Sequence, residues 1–425
     1  MKLLRPLHER DFALLWMGLT ISLIGDGIYM VAIAWQALNL TDSPSGLAIV
    51  GLAWSASVAV CAIAGGLVSD RIERRRVMIG ADLIRALSIG IVAVLSLTGS
   101  LHLWQLVALV AVFAAGDAFF GPAMSGLIPE LVPPELLVDS SSIEQIVRQG
   151  MRRLVGPLVG GGVVAAVGAG TAFALDAATF LVSAAAIFAI RARSAPREGA
   201  HASLLDDARA GIAYVRSQRW LWVTVVSEGL ALLLYMGPLM VLLPYLIRHK
   251  LFGDAQDFGL ILAADGVGSV LAGVIMSRRG MPLRYISALY LFWGLGTLPL
   301  IGLGIGTQLA PLMLFSALHG ALITAGIVIW STLQRSRVPA EMRGRVSSLD
   351  WVVGLAFVPA SFALTAPIAA AIGAGPTMVA AGAASTVMTA VLYVVYRLWE
   401  DEPPLDGLTT PADPVVLPAA EASAR

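Results

Sequence analysis

The sequence has little charge. Of its 425 residues, 13% are charged and 58% are apolar, and the charged share is about half that of soluble globular domains. This composition excludes a soluble fold and indicates a protein that crosses a membrane several times. Lys+Arg and Asp+Glu balance at 28 each, so there is no net positive field to attract nucleic acid, and we expect no nucleic-acid partner.

Cysteine, histidine and lysine are also scarce. The single cysteine, Cys61, excludes a disulfide framework, and the five histidines are too scattered to form a metal cluster. The two lysines, Lys2 and Lys250, follow no glycine-rich loop, which excludes the phosphate-binding loop of an ATP-driven pump. No His-Glu-x-x-His pair is present, and no histidine is close in sequence to Cys61 to activate it. We therefore expect no enzyme activity, no cofactor and no metal.

Long apolar runs are abundant instead. A helix that crosses the roughly 30 Å hydrocarbon core needs about 20 mostly apolar residues. Twelve runs meet this requirement, and we number them span one to span twelve. They cover residues 12–38, 44–68, 77–97, 101–125, 143–167, 171–190, 220–247, 258–276, 283–305, 310–333, 346–372 and 377–396. The first run is too long for the core of a signal peptide, so we expect it to remain in the protein.

Basic residues are concentrated in alternate loops. They precede span one and follow spans two, six, eight and ten, whereas the other loops hold almost none apart from Arg248 and Lys250. Since loops rich in Lys and Arg stay in the cytoplasm, both termini are expected there, which requires an even number of spans. We expect the protein to lie in the lipid bilayer of the inner (plasma) membrane.

The two halves of the chain repeat each other weakly. Two loop sequences, after spans two and four, recur after spans eight and ten at nearly the same offset: Ser69-Asp70-Arg71 as Ser277-Arg278-Arg279, and Val132-Pro133-Pro134-Glu135-Leu136 as Val338-Pro339-Ala340-Glu341-Met342. Two matches at equivalent loops indicate a duplication. Six-plus-six parallel halves are typical of transporters whose substrate site lies between the halves.

This repeat gives a domain organisation. We predict an all-α membrane fold with six-span halves at residues 1–190 and 220–397. A cytoplasmic linker over 191–219 would carry a surface amphipathic helix at 204–215. The remaining residues, 398–425, are rich in Pro and Ala and are expected to form a disordered tail.

Two motifs give the chain a family resemblance. The loop after span two reads Gly66-Leu67-Val68-Ser69-Asp70-Arg71, followed by Arg74-Arg75-Arg76, and it resembles the signature loop of the major facilitator superfamily. Span five contains Gly156-Pro157-Leu158-Val159-Gly160-Gly161, which resembles the antiporter motif of exporters. The stretches Ile128-Pro129-Glu130-Leu131-Val132-Pro133 and Arg343-Gly344-Arg345-Val346 are similar to the branch that contains macrolide-efflux proteins and enterobactin exporters.

The resemblance implies a gate at the first motif. In the family this loop latches the two halves together in the outward-facing state, which implies that role for Gly66, Asp70, Arg71, Arg74 and Arg75. Simple anchoring of a positive loop at the cytoplasmic surface would explain the arginines but not Asp70.

The second motif has two explanations. Gly156 and Pro157, with Gly160 and Gly161, remove side chains and a backbone donor from span five. A gating hinge and ordinary small-residue packing explain the glycines equally well. The Gly-Pro pair is the more specific signal.

Four spans carry a titratable side chain well inside the hydrocarbon: Asp26, Asp117, Glu228 and His319 in spans one, four, seven and ten. Each costs at least ~2.5 kcal/mol at the bilayer centre unless it faces a partner or a cavity. The resemblance implies that these spans line the central cavity, which makes the four residues candidates for proton coupling or substrate binding. The alternative for each acid is a fixed ion pair or hydrogen bond, with Arg148 or Arg152 as partners for Asp117.

Other polar and aromatic residues of the spans extend this picture. Tyr29 and Tyr235 follow Asp26 and Glu228 at helical spacing and could form an amphipathic wall, although aromatic residues also form lipid-facing belts. Three acids and one histidine would favour a cationic or neutral substrate over an anion. Asp176 and Asp265 lie on spans six and eight, which are less expected to face the cavity.

A charged series occupies the beginning of span five. Glu144, Arg148 and Arg152 follow one another at four-residue spacing, which predicts a ladder of ion pairs along one helix face. This ladder either belongs to a helix that projects into the cytoplasm or contacts substrate at the inner mouth. The spacing does not separate the two.

The leading hypothesis is a monomeric secondary transporter that exports amphipathic small molecules, such as drugs, macrolide-like antibiotics or siderophores. A proton gradient would be its energy source, and alternating access its mechanism. The alternatives are a proton-coupled nutrient importer and a membrane sensor or scaffold that has lost transport.

Overall fold

The structure, a computed structural model, describes residues 2–191 and 204–402. Eleven helices in this part of the chain are long and apolar enough to cross a membrane. They run over Arg10–Thr41, Pro44–Arg71, Arg74–Leu97, Leu103–Leu131, Val147–Phe188, Arg219–Lys250, Ala255–Arg279, Tyr285–Ile305, Leu309–Arg337, Ala340–Ile372 and Ala374–Val395. Each overlaps a predicted run, and most extend beyond it by a few residues.

The fifth of these helices contains two spans. It has 42 residues, which at 1.5 Å per residue is about twice the thickness of the hydrocarbon core. Gly168 divides it, because its φ of 85° and ψ of 165° are not helical. A residue without a Cβ adopts this conformation readily. The described part of the chain therefore contains the twelve spans that the apolar runs predict, with spans five and six joined at Gly168.

The spans form two groups of six. In the N-terminal half, span one packs along spans five and six, span three packs against spans four and six, and span two packs against span four. In the C-terminal half, span ten packs against spans eight and nine, span eleven against span seven, and span twelve against span nine. The all-helical, two-half architecture expected from the repeat is confirmed.

The bundle has two distinguishable ends. We call the end that holds residues 2–9 and 396–402 the terminal face, and the end that holds the turns at 42–43, 98–102, 251–254 and 306–308 the distal face. At the distal face Asp254 begins span eight with a cap, since its side chain accepts hydrogen bonds from the backbone N–H groups of Gln256 (2.8 Å) and Asp257 (3.1 Å).

The two halves meet at the distal face through two close helix crossings. Span five crosses span eight where a Cβ on Gly259 would lie 2.8 Å from the Cα of Gly161. Span two crosses span eleven where Gly51 contacts the ring of Phe362. Since none of these three glycines has a side chain, the helices approach closely at both points.

Polar contacts reinforce the closure of the distal face. Arg248 donates a hydrogen bond to Asn39 Oδ1 at 2.9 Å, and its Nε lies 3.5 Å from Asp42 Oδ1. His249 Nε2 lies 3.2 Å from the same oxygen of Asp42. Arg248, which departs from the pattern of basic loops, thus connects the end of span seven to the end of span one.

The terminal face is packed by segments expected to be peripheral. A helix over Leu204–Ser217 rests on the beginning of span eleven, where a Cβ on Gly211 would lie 3.1 Å from the Cβ of Arg345, and Val215 is buried. Residues 192–203 of the predicted linker lie outside the described residues. The helix predicted at 204–215 is therefore present and packs against the protein on one side.

The predicted start of the disordered tail, at residue 398, comes too early in the chain, because the next residues are packed against the protein. Residues Leu398–Asp401 form a short 3-10 helix, with Leu398 fully buried and Asp401 held by Arg219 at 2.9 Å. Glu402 accepts a hydrogen bond of 2.6 Å from the backbone of Ser287. These contacts fix residues 398–402 to the C-terminal half, and residues 403–425 of the predicted tail lie outside the described part of the chain.

Candidate functional site: the cavity between the halves

A cavity of about 360 Å³ lies between the two halves. Spans one and five contribute its walls from the N-terminal half, and spans seven, eight and ten from the C-terminal half. The polar lining residues are Arg148, Gln149, Arg152, Arg153, Tyr235, Asp265, Ser316 and His319, and the apolar ones include Met30, Met236, Leu239, Met240, Leu243, Leu262 and Ile323. One wall is thus cationic and the facing wall is mostly apolar.

Wider helical turns face each other across this cavity. Span five contains a π-helix at Met151–Val155, and span seven contains one at Pro238–Leu242. Such turns are rare and occur often at functional sites. The first brings two consecutive residues, Arg152 and Arg153, to the cavity.

The arginines of span five differ in their partners. Arg148 Nη2 lies 3.0 Å from Glu144 Oε1, and Arg153 Nη1 lies 3.9 Å from Asp265 Oδ1 across the interface. Arg152 is attracted electrostatically to Asp26 on span one, but the two side chains do not form an ion pair. The predicted ladder therefore has one rung, Glu144–Arg148, and its continuation enters the cavity.

Tyr235 and His319 come together in the cavity wall. Their rings meet edge to face with centroids 5.8 Å apart. His319 Nδ1 lies 2.7 Å from the carbonyl oxygen of Gly296, which can only accept, so Nδ1 is the donor and Nε2 is left for other partners. Asp265 completes the group, although span eight is less expected to face the cavity; the packing of span eight on span five turns Asp265 inward.

Asp26, Tyr29 and Asp117 do not line this cavity. Tyr29 is 8% exposed, and its ring stacks on that of Phe113 at 4.7 Å. Asp117 pairs with Arg85 at 3.5 Å, so its partner is neither Arg148 nor Arg152. Asp26 interacts electrostatically most with Arg152 of the cavity wall and then with Arg85. None of the three residues is among those that line the cavity; Tyr29 is buried, whereas the Asp117 side chain is 34% exposed.

Arg85 is the centre of a group of charged side chains in the N-terminal half. It pairs with Asp82 and Asp117, and its guanidinium lies 4.4 Å from the ring centroids of Phe120 and Phe180. The Asp82 and Arg85 side chains are 0% and 3% exposed. Removing one partner of a buried pair leaves the other charge without compensation.

We expect Arg85→Met to destabilise the protein by about 3–5 kcal/mol, because Asp82 would stay buried without its counter-ion. The exposed pair of Arg76 with Glu73 gives a matched control, since the Arg76 side chain is 76% exposed and such pairs contribute about 0–1 kcal/mol. Thermal unfolding of the purified variants in detergent measures the difference. Equal unfolding midpoints for Arg85→Met and Arg76→Met would contradict the assignment.

Glu228 lies in a second cavity, of about 270 Å³, between span two and spans seven and eleven. Its carboxyl group lies beside that of Asp350, and Trp54 and Trp351 line the same space. Asp350 Oδ2 also accepts from Trp330 Nε1 (3.0 Å) and Gln334 Nε2 (2.9 Å). Two ionised carboxylates side by side would repel each other, whereas one shared proton would let them hydrogen-bond.

Asp350 is a site residue that the reading of the sequence did not single out. It was visible as an acid inside the predicted span at 346–372, the same signal that identified Glu228. Its contact with Glu228 depends on how spans seven and eleven pack, which the sequence does not specify.

The arginines of the signature loop bind helix ends within the N-terminal half. Arg74 donates to the carbonyl of Gly126 (2.6 Å) and pairs with Glu130 at the end of span four. Arg75 donates to the carbonyl oxygens of Ile187 (3.1 Å) and Phe188 (2.5 Å) at the end of span six. These contacts satisfy terminal carbonyl groups. The side chains of Asp70 and Arg71 and the surroundings of Gly66 are outside what the structure describes.

The glycines of the antiporter-like motif allow span five to pack closely against two other spans, span one and span eight. A Cβ on Gly156 would lie 2.7 Å from the Cα of Gly27, and one on Gly160 would lie 2.7 Å from the Cα of Ile28, so both allow spans one and five to touch. Gly161 instead faces span eight in the other half. Pro157 lies between these contacts and lines the cavity.

Comparison with known proteins agrees with this architecture. The family described as "Transmembrane secretion effector" matches residues 2–415. Macrolide efflux protein A of Streptococcus pyogenes is 24% identical over 370 residues, covering 85% of this chain and 90% of that protein. Multidrug efflux pump Tap of Mycolicibacterium fortuitum is 28% identical over 403 residues, covering 88% and 93%.

A solved structure shares the fold. A bacterial homologue of the human lysosomal transporter Spinster, in an inward-facing and unoccupied conformation, superposes with a TM-score of 0.70 at 15% identity, covering 95% of this chain and 99% of that one. The resemblance expected from the two motifs is confirmed. The chain belongs to the transmembrane secretion effector family, and it is a multi-pass membrane transporter of the major facilitator superfamily rather than an enzyme.

Proposed function

We propose that this protein is a proton-coupled exporter of amphipathic small molecules that works by alternating access. The observation that carries the proposal is the cavity between the two halves, polar on one wall and apolar on the other, beside a closed distal face. The names of the relatives, macrolide efflux protein and multidrug efflux pump, support the outward direction.

The orientation is part of the proposal. The loops that are rich in arginine lie at the terminal face, and such loops stay in the cytoplasm. With the terminal face in the cytoplasm of a cell whose inner membrane holds the protein, the closed distal face is extracellular. The cycle then opens the contacts of Arg248 and His249 with Asp42 and separates spans five and eight at Gly161 and Gly259.

The proton is proposed to bind at the Glu228–Asp350 pair. Asp350 accepts hydrogen bonds from Trp330 and Gln334, so protonated Glu228 completes the set as a donor. Loss of that proton places two carboxylates in contact, and their repulsion disfavours the packing of span seven on span eleven. Proton binding from outside and release to the cytoplasm would thereby alternate two arrangements of these spans.

Export is tested by accumulation of a fluorescent amphipathic dye in cells. Deleting the gene is expected to raise intracellular dye. Asp26→Asn is expected to mimic the deletion at normal expression, since the change removes a carboxylate that faces Arg152 and Arg85 where spans one and five touch.

Asp254→Asn is the matched control for this experiment, because asparagine caps a helix as well as aspartate does. This variant should keep dye accumulation at the wild-type level. Unchanged accumulation in the deletion strain across a broad panel of compounds would contradict the proposed export. Wild-type export by Asp26→Asn would contradict the role of Asp26.

A further inference from the structure

We propose that the exported molecule is an amphipathic organic anion whose acidic group binds Arg152. This inference rests on the export function proposed above and adds the charge of the substrate. An anionic substrate differs from the cationic or neutral substrate that the sequence predicts from the acids of spans one, four and seven.

The charges on the cavity wall are the first reason. Three guanidinium groups line the cavity, those of Arg148, Arg152 and Arg153, against one carboxylate, that of Asp265. Asp26 and Asp117 are not among the lining residues, Asp117 is paired with Arg85, and Glu228 lies in the second cavity. A cation in the central cavity would therefore meet mostly like charges.

Arg152 is the second reason, because it lacks a direct partner. Arg148 is bound by Glu144, and Arg153 faces Asp265. Among the residues that the structure describes, the Arg152 side chain has no hydrogen bond or ion pair, and Asp26 attracts it only from beyond ion-pair distance. An ionised group at membrane depth is retained chiefly where it serves a partner or a transported species.

The local geometry suits an acid. A guanidinium presents its N–H donors in a planar fork that matches the two oxygens of a carboxylate. Gln149 also lines the cavity, and its Oε1 is buried without a partner among the described residues. A half-turn of the Gln149 side-chain amide exchanges the positions of its oxygen and its NH₂. The NH₂ can therefore point toward an acidic group beside Arg152.

The rest of the wall suits an apolar body. Leu239 and Met240 come from the π-helix of span seven, and Met30 comes from span one. Methionine adapts to ligands of different shape. The cavity of about 360 Å³ is at the small end of the range for small-molecule sites. One acidic group at span five and an apolar body against span seven therefore describe the expected ligand.

The test compares two dyes in everted membrane vesicles under an imposed pH gradient. Carboxyfluorescein is the anionic probe and ethidium is the cationic probe. Wild-type vesicles are expected to accumulate carboxyfluorescein, and Arg152→Gln is expected to reduce its rate at least tenfold. Arg279→Gln is the control, because Arg279 is exposed at the end of span eight, outside the cavity.

A binding measurement covers the case in which Arg152→Gln does not reach the membrane. Fluorescence anisotropy of carboxyfluorescein with purified protein should show weaker binding to Arg152→Lys than to wild type, because lysine keeps the charge without the fork. Equal affinity would overturn the inference.

The outcomes separate this inference from the proposed function. Transport of ethidium but not carboxyfluorescein would overturn the anionic substrate and leave export intact. Transport of carboxyfluorescein at the same rate by wild type and Arg152→Gln would overturn the role of Arg152. Transport of neither dye would count against the anionic substrate and against export of amphipathic molecules together.

Discussion

Gly161→Val is expected to abolish export while the protein still folds and reaches the membrane. A Cβ at this position would lie 2.9 Å from the carbonyl oxygen of Ala255 and 3.0 Å from the Cα of Gly259. Both contacts are with the backbone of span eight, so no side chain can move aside. The valine would push the two halves apart at the distal face and disfavour the closed state that the transport cycle must revisit.

The next residue provides the control. A Cβ on Gly162 meets nothing within 4 Å, so Gly162→Val adds the same side chain to the same helix without a clash. Dye export by cells that express equal amounts of each variant is the measurement. Gly162→Val should export at close to the wild-type rate, and Gly161→Val at less than about a tenth of it. Wild-type export by Gly161→Val would show that this crossing need not be tight.

Glu228→Gln is expected to uncouple transport from the proton gradient. The amide NH₂ can still donate to Asp350, so the contact of spans seven and eleven is kept in the form it has with a protonated Glu228. Because the amide cannot release a proton, the pair can no longer change its charge. Accumulation driven by a pH gradient should fall at least tenfold, whereas exchange of substrate at equal pH on both sides should continue.

Measuring both transport modes in the same vesicles separates coupling from folding. Glu135→Gln makes the same chemical change at an exposed position of the short 3-10 helix Pro134–Leu136 and should leave both modes unchanged. Equal loss of gradient-driven accumulation and exchange would indicate that Glu228→Gln damages the protein rather than its coupling. Retention of both would exclude Glu228 as the proton carrier.

Much of the fold could be predicted from the sequence, because crossing a membrane imposes a length and an apolar composition on each helix. The twelve runs, the junction near 168 and the helix at Leu204–Ser217 are read from such local patterns. The residue at which the tail starts could not be predicted from a local pattern, because residues 398–402 are held by contacts with distant residues, such as that of Asp401 with Arg219.

The site was predicted less completely, because which side of a helix faces a cavity depends on packing. His319 and Tyr235 line the central cavity, but Asp26, Tyr29 and Asp117 do not, and Arg85 is a counter-ion for Asp117. The π-helical turn that brings Arg153 to the cavity has no clear sequence signature. Asp265 faces inward because spans five and eight meet at glycines far apart in the chain.

Everted vesicles with an acidic lumen and a neutral bath test proton-coupled export most directly. The lumen then corresponds to the outside of the cell, so protons move from the lumen to the bath as substrate moves from the bath into the lumen. Wild-type vesicles are expected to concentrate the transported dye in the lumen. A protonophore should abolish this accumulation, and Glu228→Gln vesicles should lack it. Accumulation only when the gradient is reversed, or accumulation that persists with the protonophore, would contradict proton-coupled export.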